Sequence, residues 1–263
     1  MPIFGRKQAA ASPPPSPPGR ERGDMAGHEA VLRHLRALDA TEPERRLQMG
    51  GMVVFDLVYQ MVATPEKGAR IEDILAILGS VGGHSCLVGV LDGFARRGNM
   101  PTGHELVVMR CTDGNRYFFG DLPNQALLEG HLSLLSLTLG AAQSHGGQVS
   151  LDKVHDVMSH VAATVGRADF GTPRVAEPHR PGDLPFNYIK YLAPKIFEAL
   201  ELYEVPPDKW ASAIGFAVQR AIDGSKDVLN PRLATIAADI VTECAVPAAK
   251  FDPARFHMPK MAR

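Results

Sequence analysis

From His28 onward the apolar residues of this 263-residue chain recur mostly at helical spacing, and the pattern turns strand-like at residues 105–119. Ile71, Ile74, Leu75 and Leu78 stand at i, i+3, i+4 and i+7, with Glu72 and Asp73 on the opposite face. Val31, Leu32, Leu35 and Leu38 make an earlier stripe. Leu151, Val154, Met158, Val161 and Val165 make a later one. The β-branched run Met52–Val62 also reads as helix, because its polar members Asp56 and Gln60 are four apart. Start signals recur: Thr41-x-x-Glu44 has capping-box spacing, and Ser150 and Asn230-Pro231 are N-cap signals. The exception is Glu105–Thr112 and Asn115–Phe119, two β-prone runs separated by Asp113-Gly114, a strong hairpin signal. The spacing therefore predicts a mainly α-helical α+β protein: a helical body with at least one β-hairpin, at about 105–119, packed on helices. The expected support is one long helix from Pro123 to about Gln143.

Composition divides the chain. Residues 1–27 hold the tract Ser12-Pro-Pro-Pro-Ser-Pro-Pro-Gly19 and no apolar periodicity, so a disordered tether is expected there, carrying the short peptide Met1–Lys7 at its tip. Residues 28–249 form the globular body, with a division into two subdomains expected near 166–184. Residues 250–263 read as an irregular tail. A hydrophobic fraction of 45% supplies a core. Twenty-eight basic residues against 29 acidic leave a net charge of −1, which argues against an obligate nucleic-acid binder. The apolar run Leu127–Ala142 is interrupted by Glu129 and His131 and falls short of the roughly 20 residues of a membrane span. Three scattered cysteines (Cys86, Cys111, Cys244) and no apolar leader point to a cytoplasmic protein with free thiols.

Gly83-His-Ser-Cys-Leu87 has the outline of a Gly-x-Ser-x-Gly nucleophile elbow, with Ser85 as nucleophile and Cys86 contributing a backbone N–H; a Cys86 nucleophile assisted by His84 fits no better, since residues two apart on a helix do not face each other. Leu87 replaces the last glycine, and a helical stripe precedes the motif where an elbow needs a strand. The plainer reading is a glycine turn after Gly79, with Ser85 capping a new helix from Cys86 to Arg97. Five histidines fall between 131 and 179, but His155 and His160 are five apart and no Cys-x-x-Cys supplements them, so no metal site is expected. No nucleotide-binding glycine loop occurs, and no cofactor is implied.

The connection Gly166–Leu184 carries Pro173, Pro178 and Pro181, with Arg167, Arg174 and Arg180 against Asp169, Glu177 and Asp183. A polar site would be lined by Arg174, His179 and Arg180, since a stiffened loop can present guanidinium forks to an anion. The competing account is a crossover whose charges satisfy one another. The expected function is that of a non-catalytic binding, adaptor or regulatory protein, with a protein partner or a second copy as its target. The alternative is a hydrolase or other small-molecule enzyme using the Gly83–Cys86 turn or the 166–184 loop.

Overall fold

The computed structural model describes residues 19–66, 68–99, 101, 103–227 and 229–256. Its helices are α1 (Gly19–Leu38), α2 (Glu44–Val62), α3 (Ile71–Arg97), α4 (Asp121–Asn124), α5 (Leu134–Ser144), α6 (Leu151–Thr164), α7 (Pro185–Leu202), α8 (Trp210–Gly224) and α9 (Pro231–Ala248). Between α3 and α4 stand β1 (Val107–Arg110) and β2 (Arg116–Phe119), an antiparallel hairpin pairing Val108 with Phe118 and Met109 with Tyr117. The mainly helical α+β reading holds. Within it, α1 opens at Gly19, inside the segment read as a tether; residues 1–18 lie outside the described residues.

The core is built around α3, which packs along α9, α8 and α7, while α2 and α5 close on α8. Sequence reading splits α3 in two at its glycines, and the structure corrects this: the helix runs unbroken from Ile71 to Arg97. The glycines are there for close approach. A Cβ at Gly79 would lie 2.9 Å from the Val241 carbonyl oxygen, and one at Gly83 only 2.1 Å from that of Ala245. Both pairs are four residues apart, so bare backbone of α3 faces the backbone of α9 over a full turn. Long and apolar enough by composition to cross a membrane, α3 has 89% of that stretch buried in the protein. At 27 residues it is longer than the 127–142 run. Beside it Trp210 stacks on Phe197 at 4.4 Å and donates to the Val205 carbonyl.

Two further expectations are revised. Thr41 makes no capping box: its hydroxyl donates to the Leu38 carbonyl, and α2 begins after Pro43. The helix expected from Pro123 to Gln143 is three pieces: α4, a π-turn at Gln125–Glu129, and α5, whose start Ser133 caps by accepting from the Ser136 amide. The hairpin accordingly rests elsewhere. Leu106 and Phe118 pack on Leu87 and Phe94 of α3. On its other face Tyr117 meets Phe170 and Phe251. The tail also differs from an irregular end. Phe251 bridges Tyr117, the Phe118 amide donates to the Lys250 carbonyl, and Phe256 is buried. Residues 250–251 thus hold the far side of β2 from β1 through an isolated antiparallel bridge and one backbone hydrogen bond.

Candidate functional site

The elbow-like pentapeptide sits in mid-helix. Ser85 is buried and its hydroxyl donates to the Gly82 carbonyl at 2.6 Å, so it is neither an N-cap nor a nucleophile held by a base. His84 follows the helix about 100° round and is fully buried against Phe256, ring centroids 5.0 Å apart. Neither ring nitrogen makes a well-formed hydrogen bond. Burial drives its pKa down to about 4, against the opposing pull of the Ala248 backbone and the Asp252 carboxylate. Burial likewise pushes the Cys86 thiol up to about 12, with Lys250 acting against it. Lys250 is itself held near 8 by burial, and its ammonium donates to Asn124. A neutral imidazole, a protonated thiol and a self-satisfied hydroxyl make no nucleophile–base pair here.

Arg174, His179 and Arg180 do not converge. Arg174 reaches Asp156 of α6 at 2.8 Å and Glu243 of α9 at 3.1 Å. Glu243 is buried and also takes Lys153 at 3.4 Å. His179 Nδ1 lies 3.0 Å from Glu72 at the start of α3, and Arg180 pairs with Glu177 in its own loop. Burial raises the Glu72 carboxyl, but the His179 hydrogen bond, a backbone hydrogen bond and the charges of Arg70 and His179 together outweigh it and hold that group below the usual carboxylate range. The Gly182 amide donates to Asp73, and Arg70 donates to the Arg180 carbonyl. The loop is therefore fastened to the first turn of α3, thirteen residues or about 20 Å from Ser85. The two candidate regions share no cleft among the described cavities.

None of those cavities borders the loop residues Arg174, His179 and Arg180. Ser85 and Cys86 border one of about 440 Å³ with Gly89, Leu122 and Asp208. A larger one, about 810 Å³, opens where the α1–α2 corner, the α4–α5 connection and the start of α8 meet. It is lined by acids (Asp39, Glu44, Glu204, Asp208) and by Arg46, which is already held by Asp39, Glu204 and the Tyr203 carbonyl. Glu204 adopts φ 56°, the sole positive φ among the described non-glycine residues. No sequence signal marks this cavity, because its walls come from residues 39–47, 125–133 and 204–212. Among the described residues no three metal-ligating side chains come together. Comparison with family models, with curated proteins and with solved structures finds no match.

One further feature stands out on the surface. Sequence reading expects both strands, apolar on both faces, to be covered on both sides. The structure covers β2, with Tyr117 and Phe118 buried, and leaves β1 open. Val107, Val108 and Met109 are 42%, 48% and 42% exposed, three consecutive large apolar side chains in water. No described residue pairs with the outer edge of β1. A strand edge of this kind is a template for another strand, and natural sheets usually blunt it with lysine, proline or a bulge. None of these interrupts Val107–Met109.

Proposed function

We propose that this chain is a non-catalytic binding protein that presents the outer edge of β1 to its partner. The observation that carries this reading is the open apolar edge at Val107–Met109. Strand addition uses backbone hydrogen bonds for affinity and alternate side chains for selectivity, and an edge backed by a packed strand is ready for it. β2 supplies the backing, anchored on α3 and on the tail. Three unpaired cysteines, two of them buried, suit a reducing compartment such as the cytoplasm.

Selection of displayed random peptides on the immobilised full chain tests this. Extended, β-prone sequences should enrich, and Val108→Pro, which removes an amide from the edge, should abolish their binding while the fold persists. The enzyme alternative has one observation on its side, that Ser85 borders the 440 Å³ cavity. Covalent labelling of the wild type by a fluorophosphonate, lost in Ser85→Ala, would overturn the binding reading in its favour.

A further inference from the structure

Resting on the strand-addition reading above, we infer that the partner at the β1 edge is a second copy of this chain, joined antiparallel about Val108. The direction of the backbone groups comes first. In an antiparallel sheet the N–H and C=O of one residue point to the same side, and successive residues alternate. The Phe118 amide donates to the Lys250 carbonyl, away from β1. Val108, opposite Phe118, therefore turns its own N–H and C=O outward, and so do Leu106 and Arg110. Met109 and Val107 face inward to β2. The Cys111 amide, donating to Asn115, keeps the same alternation.

Symmetry then limits the registers. Two identical antiparallel strands related by a two-fold axis normal to the sheet must pair residues of the same parity, because paired side chains share a face. Centring on Val108 puts Val108 against Val108, and Val107 against Met109, in both directions. Leu106 falls opposite Arg110. This register covers all three exposed apolar residues with one another. A centre at Val107 would set Met109 against Glu105, and one at Met109 would set Val107 against Cys111. A centre at Arg110 would oppose two guanidinium groups. In the Val108 register two hydrogen bonds form at the axis, four more form at the flanking Leu106–Arg110 pairs, and the two hairpins and tails become one antiparallel sheet across the axis.

Light scattering of the full chain from micromolar to millimolar concentration should show a monomer passing to a dimer. Val108→Lys, which sets two ammonium groups face to face at the axis, should weaken association at least tenfold with the melting temperature unchanged, because Val108 is half exposed in the single chain. Val108→Thr, which keeps the β-branched shape, should retain the dimer. In a Cys111→Ala background, Val108→Cys should form an interchain disulfide, its Cα atoms being about 5.5 Å apart. Met109→Cys should not, since its copies stand roughly 8 Å apart. A monomer at every concentration, a dimer indifferent to Val108→Lys, or cross-linking through Met109→Cys and not Val108→Cys each overturns the inference. If the chain stays monomeric while selected peptides still bind at β1, only the second copy is wrong. If neither binds, the strand-addition reading falls as well.

Discussion

Gly83 shows how much one missing methyl group decides. The Ala245 carbonyl occupies the place a Cβ would need, so Gly83→Ala must push α3 and α9 apart along their whole contact. A backbone obstacle cannot rotate away, and the expected loss is about 3 kcal/mol or more in chemical denaturation. Gly140, open on the surface of α5, is the control: with no atom within 4 Å of the added Cβ, Gly140→Ala should be neutral or stabilising. His84, the neighbour of Gly83, carries a pH dependence. Its folded pKa of about 4 lies below the unfolded value of about 6.5, so the unfolded chain takes up the proton first. Stability should therefore fall as pH drops from 6.5 towards 4, by roughly 3 kcal/mol from this group. His84→Leu should remove that part of the slope, read as the difference between the two denaturation curves. Equal slopes would mean that the imidazole finds a partner for its charged form. Neither role was legible in the sequence. A glycine that turns the chain and a glycine that admits another backbone look alike, and the decisive residue, Ala245, is more than 160 positions away.

Elements were more legible than their connections. Helical spacing located α2 and α6, and two caps are made as expected, Ser150 accepting from the Asp152 amide and Asn230 from that of Leu233. The hairpin follows from Asp113-Gly114, with Gly114 at φ 79° and the Asp113 carboxylate accepting from the Asn115 amide. These signals are local, so sequence carries them. What the 166–184 connection does was not legible, since its partners Asp156, Glu243 and Glu72 come from three helices. The structure makes Arg174 the pin. Arg174→Ala leaves the buried Glu243 carboxylate only Lys153 and the backbone amide of residue 174, and a loss on the order of 2–3 kcal/mol is expected, reduced from a fully buried pair because Arg174 is one-third exposed. Arg180→Ala breaks only an exposed pair within the loop and should leave the melting temperature within error. Equal effects from the two substitutions would contradict this division of roles.

At the scale of the whole molecule, the last described residues fasten the hairpin to the body. Phe251 touches the rings of Tyr117, Phe170 and Phe186, joining β2, the 166–184 connection and α7 in one aromatic cluster. Phe251→Ala should cost about 3–5 kcal/mol, and ending the chain at Ala249 should cost the β1–β2 amides their protection in hydrogen exchange before the α3 amides lose theirs. Retained hairpin protection after that truncation would show that α3 suffices as its support. The central place of α3 has a consequence in time as well as in space. Its closest partner, α9, begins at residue 231, so during synthesis the finished α3 waits while more than 130 further residues are added. At roughly 5–20 residues per second that is several seconds to about half a minute. Throughout that interval a helix with the length and apolarity of a membrane span has at most its lesser partners, chiefly α7 and α8, to cover it, and the arrival of Val241 and Ala245 takes its last open side out of reach.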